Sequence, residues 1–140
     1  DAPAAGALVR VALMQARSGQ ETAIGRFFDG TGGRVLADGA DIAAGQTVHV
    51  DAEAQLPLAA VTPLVAGDRN LLVPVLALDT SYHWDGAGDG FGQVAGAYVL
   101  GQEPAGATGD GAARLGPIPL TGPRFVSRPG ARATGLQVSQ

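Results

Sequence analysis

Two residue types are missing from this chain of 140 residues, which contains no cysteine and no lysine. Without cysteine there is no disulfide framework, no thiolate zinc site and no cysteine nucleophile. Long apolar runs are missing too, and none approaches the roughly 20 residues that a helix needs to cross a bilayer. We therefore expect a chain with no membrane span.

Positive charge is also scarce. Nine arginines face 13 acidic residues, which gives a formal net charge of −4. Nonspecific binding to nucleic acid requires many cations facing phosphates, so we expect no nucleic-acid partner. Alanine and glycine are abundant instead, with 26 and 22 residues. The remaining large apolar residues suffice for one thin core, so length and composition favour a single folded domain.

Short apolar segments separated by glycine-rich turns fill the first hundred residues. Residues 8–14 and 93–100 alternate with the period of two that is typical of a half-buried strand. Residues 22–28 and 71–78 are further candidate strands, and a turn at 29–33 follows the former. About six to eight short strands at this spacing predict an all-β fold, an immunoglobulin-like or related antiparallel β-sandwich. The likeness is one of architecture, because the Cys–Trp–Cys pattern of true immunoglobulin domains is absent.

Three local features refine this expectation. Residues 46–52 alternate between apolar and polar side chains, which predicts another strand. Residues 52–60 are rich in helix-forming types, but Pro57 limits them to a bend or a single turn. Pro74 interrupts the longest apolar segment and favours a sheet edge or a bulge at that point.

Charge divides the chain into two parts. Residues 1–110 contain every acidic residue and have a net charge of −8, whereas residues 111–140 contain four arginines, no acid and a net charge of +4. We predict a β-sandwich domain over 1–110 and a basic, Pro/Gly-rich C-terminal arm over 111–140, or else the last strand of the same domain. As an arm, the segment would pair with a partner's sheet edge while its arginines pair with aspartates. The residues with these roles are Arg114, Ile118, Leu120, Arg124, Phe125, Val126, Arg128 and Arg132.

A candidate ligand loop covers residues 82–91. Its aromatic rings would stack on a sugar while its aspartates accept hydrogen bonds from hydroxyl groups, although a lone tryptophan is also typical of a core. Asp85 and Asp89 are candidate calcium ligands, but the EF-hand spacing and its closing glutamate are missing, which favours a solvated turn. The loop residues are Tyr82, His83, Trp84, Asp85, Asp89 and Phe91.

Catalytic signatures are missing from the sequence. None of the four serines lies in a Gly-x-Ser-x-Gly elbow, and two histidines cannot form a three-histidine zinc site. We therefore expect no enzymatic activity and no cofactor, with calcium at Asp85 and Asp89 as the one weak candidate.

The sequence predicts a non-catalytic structural, assembly or adhesion module. Through its arm it would dock on another copy of itself or on a larger protein assembly, such as a surface lattice, a filament or a virion-type shell. These assignments favour an extracellular, cell-surface or virion-associated location. A carbohydrate-binding module that uses the ligand loop and a small hydrolase of unrecognised type are the alternatives.

Overall fold

The computed structural model describes residues 3–84, 90–102, 115–120 and 129–139, the last range by its backbone. Strands dominate these residues and form two antiparallel sheets, so the all-β prediction is confirmed at this level. The elements are β1 (Ala4–Gln15), α1 (Gln20–Phe28), β2 (Arg34–Ile42), a 3-10 turn (Leu58–Ala60), β3 (Leu64–Ala66), β4 (Arg69–Leu72), β5 (Pro74–Trp84), β6 (Phe91–Gln102), β7 (Ile118–Pro119) and β8 (Pro129–Ser139).

The larger sheet has five strands in the order β2-β1-β5-β6-β8. Its central strand β5 begins with Pro74 opposite Gln15 of β1 and reaches His83 opposite Phe91 of β6. Proline at the first residue of a strand leaves the ladder intact. The edge or bulge expected at Pro74 is therefore wrong, and this residue begins a central strand.

The smaller sheet has three strands in the order β3-β4-β7. Ile118 of β7 lies opposite Leu72 of β4, and the Leu120 amide donates to the Asn70 carbonyl at 2.9 Å. The apolar segment 71–78 is consequently shared between two sheets, since β4 ends before β5 begins.

The strand predicted at residues 22–28 is wrong, because these residues belong to helix α1. Ile24, Phe27 and Phe28 recur at three- and four-residue spacings, which places them on one helical face. A helix of nine residues is marginal in isolation, so burial of Ile24 and Phe27 against the sheet stabilises it. A short apolar run fits the periods of a strand and of a helix alike.

The core lies between α1 and one face of the larger sheet. Ile24, Val75 and Ala97 form its buried centre. Ala77 and Ala97 are small and buried on this face, which lets the helix approach the sheet closely. Met14, Ala16, Phe28 and Val99 pack against the centre.

The strand predicted at residues 46–52 is also wrong, because no strand forms there. Val48 and Val50 are exposed, so the alternating pattern has no neighbouring strand to pack against. Gln15 of β1 holds the following segment: its Oε1 accepts from the Thr62 amide at 2.8 Å, and its Nε2 donates to the Thr62 carbonyl. In the described part of the chain, no helix is both long and apolar enough to cross a membrane.

Candidate functional site

Two charged residues face each other on neighbouring strands of the larger sheet. Arg10 of β1 lies opposite Asp79 of β5, and the two are 7% and 2% exposed. Nη2 of Arg10 and Oδ2 of Asp79 form an ion pair. An unpaired charge at this depth carries a large desolvation penalty, so each residue makes burial of the other tolerable.

The same residues hold the C-terminal end of α1 against the sheet. Arg10 donates from Nη2 to the Phe27 carbonyl at 2.6 Å and from Nη1 to the Gly32 carbonyl at 3.2 Å. Gln93 of β6 donates from Nε2 to the Phe28 carbonyl and to Oδ1 of Asp79, each at 2.8 Å. The last carbonyls of a helix lack partners within it, and here side chains from the sheet supply them.

An aromatic ring reinforces this arrangement. The Arg10 guanidinium carbon lies 4.7 Å from the centroid of the Phe27 ring, within the range of a cation–π interaction. Phe27 is itself buried, so the ring and the guanidinium are desolvated together.

A cavity of about 380 Å³ opens beside the network, where α1 ends over the sheet. Its polar lining comes from Arg10, Asp29, Asp79, Ser81 and Gln93. Leu8, Phe28 and Phe91 contribute its apolar lining, and Phe91 is 47% exposed. The cavity thus combines a hydrogen-bonded charged floor with an accessible aromatic ring, an arrangement suited to an amphipathic ligand.

A second cavity of about 350 Å³ lies between β1, the start of β2 and residues 54–55. Arg34 is the one charged residue in its lining, and its Nη1 donates to the Glu53 carbonyl at 3.0 Å. This second cavity therefore offers a ligand fewer charged side chains than the first.

The structure divides the predicted ligand loop between two faces. The rings of Tyr82 and Trp84 are 6.1 Å apart on one face, and those of His83 and Phe91 are 5.8 Å apart on the other. The rings predicted to stack on a sugar, those of Tyr82, Trp84 and Phe91, therefore do not form one surface. Phe91 borders the cavity instead, while Asp85 and Asp89 lie outside the described residues.

Part of the predicted arm belongs to the sheets of this chain. Ile118 and Leu120 pair with β4, and Arg132 lies in β8 opposite Val99. The other predicted arm residues lie outside the described ranges: Arg114, Arg124, Phe125, Val126 and Arg128.

No group of three or more His, Asp or Glu side chains is positioned to hold a metal ion within the described ranges. The proposed calcium ligands Asp85 and Asp89 fall in the gap between residues 84 and 90, so calcium binding stays a prediction.

The network of Arg10, Asp79 and Gln93 was not predicted as a site. A signal was present, because Arg10 interrupts the apolar residues of β1 and Asp79 directly follows the apolar segment 71–78. Arginine and aspartate are rarely buried unless they are paired. The identity of the partner depends on strand register, since the two residues are 69 positions apart.

Comparison of the chain with protein-family models, curated proteins and solved structures gave no match. The residues and their geometry are therefore the basis for assigning a function.

Proposed function

We propose that this protein is a non-catalytic assembly or adhesion module in which a second copy pairs with the open edge of the three-stranded sheet. Val65 on the edge strand β3 is 75% exposed, and Leu58 in the preceding 3-10 turn is 73% exposed. Large apolar side chains exposed on the surface are typical of a protein-binding region when they form a patch.

Backbone geometry supports pairing at this edge. β3 is the first strand in the order β3-β4-β7, and its outer side has no partner strand among the described residues. Unpaired N–H and C=O groups on an edge strand are a template for a strand from another chain. Strand addition provides backbone hydrogen bonds, and Leu64 and Val65 provide apolar contacts.

In this proposal the described part of the C-terminal segment forms a strand of its own chain, instead of the docking arm that its charge predicts. Ile118 pairs with Leu72 of the same chain, so the segment supplies β7 and leaves β3 as the open edge. Docking of residues 111–140 on a neighbour remains a prediction for the residues outside the described ranges. The immunoglobulin-like sandwich remains a prediction about how the two sheets are arranged, and pairing at β3 does not require it.

Sedimentation velocity over a range of protein concentrations tests the proposal. We expect the wild-type chain to form a concentration-dependent dimer. Val65→Lys adds a charge to the open edge and should weaken the dimer by at least about tenfold, since lysine on an edge strand opposes pairing. A wild-type chain that stays monomeric at every concentration would overturn the proposal.

Val94→Lys is the matched control. Val94 is also exposed, at 51%, but it lies in β6, which has strands on both sides. The same substitution there should leave the dimer unchanged. Equal weakening by both variants would show that general surface charge, rather than the β3 edge, controls association.

The contact between Tyr82 and Trp84 favours carbohydrate binding as a second candidate function. The two half-buried rings share a face, as a stacking surface for a sugar requires. Trp84→Ala should abolish glycan binding while circular dichroism shows that the fold is retained. A wild-type chain that binds no glycan on an array would remove this candidate.

A further inference from the structure

We propose that the cavity at the end of α1 binds the side chain of an arginine carried by a polypeptide partner. This site is separate from the β3 edge, and its lining comes from β1, β5, β6 and the turn after α1. Four observations indicate this ligand: a fixed floor, a surplus of hydrogen-bond acceptors, an excess of negative charge and an exposed aromatic ring.

The floor of the cavity is already hydrogen-bonded before a ligand arrives. Arg10 donates to Asp79 and to the Phe27 and Gly32 carbonyls. Within the described residues, no buried side-chain nitrogen or oxygen lacks a hydrogen-bond partner. Such a floor does not need to rearrange on binding, which lowers the entropic cost of holding a ligand.

Apart from Arg10, the polar side chains of the lining leave mostly acceptors for a ligand. Both amide hydrogens of Gln93 are used, on Phe28 and Asp79, so its Oε1 is the group left for a ligand. Asp29 provides a carboxylate and Ser81 a hydroxyl group. A ligand that fits this lining must be rich in donors, as a guanidinium is and an anion is not.

The charge of the lining favours a cation. Arg10 and Asp79 neutralise each other, whereas Asp29 forms no ion pair with any described residue. Asp29 also follows the C-terminal end of α1, where the helix dipole contributes partial negative charge. The charged side chains that line the cavity, Arg10, Asp29 and Asp79, therefore have a net charge of −1.

The apolar lining distinguishes arginine from other cations. A guanidinium is flat and can lie on the exposed Phe91 ring while it donates two parallel hydrogen bonds to the Asp29 carboxylate. The three methylene groups of arginine suit the contacts offered by Leu8 and Phe28. A lysine ammonium is a point charge that cannot make the paired bonds and the stacking contact together.

Titration of the full-length protein with short peptides, followed by ¹H–¹⁵N NMR, tests the proposal. The probes are acetyl-Gly-Arg-Gly-amide, the same peptide with citrulline, which is the neutral counterpart of arginine, and the same peptide with lysine. The arginine peptide should shift the amide signals of residues 28–30, 81 and 91. It should bind at least about threefold more tightly than either analogue, and higher salt should weaken it.

Asp29→Asn removes the charge at the mouth of the cavity, and Asp38→Asn makes the same change at an exposed position on β2 that does not line it. We expect a loss of about three- to tenfold in arginine affinity for Asp29→Asn and no change for Asp38→Asn. The Val65→Lys variant should bind the peptide like the wild type, so this test is independent of the proposed self-association.

Three results would overturn the proposal. One is equal binding of the arginine, citrulline and lysine peptides. Another is equal affinity of the Asp29→Asn and Asp38→Asn variants. The third is binding of neutral sugars at residues 28–30, 81 and 91 without binding of the arginine peptide, which would identify the cavity as a carbohydrate site.

Discussion

Arg10 and Asp79 are 69 positions apart in the sequence, yet they lie directly opposite each other on β1 and β5 and form a buried ion pair. Because Arg10 also donates to the Phe27 carbonyl, the pair connects two central strands to the end of the helix. The stability of the domain and the shape of the cavity therefore depend on the same two side chains.

Asp79→Ala should lower the free energy of unfolding by about 3–5 kcal/mol, because it leaves the Arg10 guanidinium buried without its counter-ion. The double variant Arg10→Met/Asp79→Ala should cost less than the sum of Arg10→Met and Asp79→Ala, since no charge is left buried. Urea unfolding followed by circular dichroism measures the free energy of unfolding of the wild type, the two single variants and the double variant, which form a double-mutant cycle.

Additive costs in that cycle would show that the two residues are not coupled. If Asp79→Ala does not fold, the cycle is made with Asp79→Asn, which keeps an acceptor for Gln93, and with the double variant Arg10→Met/Asp79→Asn.

Gly33→Ala should destabilise the domain more than Gly32→Ala. Both glycines have a left-handed backbone, with φ of +78° and +77°, so alanine costs about 1–2 kcal/mol at either position. At Gly33 the added methyl group would also overlap the Phe27 ring, whereas at Gly32 it meets open space. We expect a further loss of about 1–3 kcal/mol at Gly33, measured by urea unfolding. Equal costs would argue against this packing of Phe27.

Gly25→Ala should instead stabilise the domain. Gly25 lies inside α1, and an added methyl group would meet no atom within 4 Å. Alanine is favoured over glycine within a helix by about 0.5–1 kcal/mol, so the midpoint of thermal unfolding should rise. A lower midpoint would indicate that this side of α1 is covered by another part of the molecule.

Gly92→Ala should change the environment of the only tryptophan. A methyl group at Gly92 would lie 2.5 Å from Cζ of Tyr82, so the ring that packs across this glycine must move. Tyr82 contacts Trp84 edge to face, and we expect a change in tryptophan fluorescence. Gly96→Ala is the control, because the nearest atom to a methyl group there would be the Tyr98 hydroxyl oxygen at 3.3 Å, which leaves more room than at Gly92. Unchanged fluorescence in Gly92→Ala would contradict this placement of Tyr82.

Removal of residues 129–140 should destabilise the domain and promote aggregation. This deletion takes away β8 and exposes the edge of β6, with which β8 pairs from Gln102 opposite Pro129 to Val94 opposite Ser139. Size-exclusion chromatography and thermal unfolding provide the measurements, with deletion of Gln140 alone as the control. A truncated chain as stable as the full one would show that β8 contributes little to the domain.

The accuracy with which the sequence predicts secondary structure differs from one element to the next. Residues 8–14 and 93–100 were predicted as strands and lie within β1 and β6, because strict alternation is a local property that packing on a sheet face preserves. Residues 22–28 were predicted as a strand and form a helix. Their apolar spacing fits both structures, and only contact with the alanine-lined sheet face favoured the helix.

The candidate site was less predictable than the strands. Residues 82–84 were predicted as part of a loop, whereas they end β5, where alternation places Tyr82 and Trp84 on one face and His83 on the other. The register between β5 and β6 places Phe91 opposite His83. Phe91 therefore borders the cavity and does not lie beside Trp84.

By itself the sequence determined the strand-rich composition, the alternation along the central strands, the glycine turn at 29–33 and the concentration of acidic residues before position 111. Each of these is set by residue type or short-range spacing. Only the tertiary structure decided that Arg10 faces Asp79, that α1 ends over them, and that Asp29 and Phe91 border one cavity. These contacts join residues far apart in the chain, and the free energy of burying charge and apolar surface together selects them.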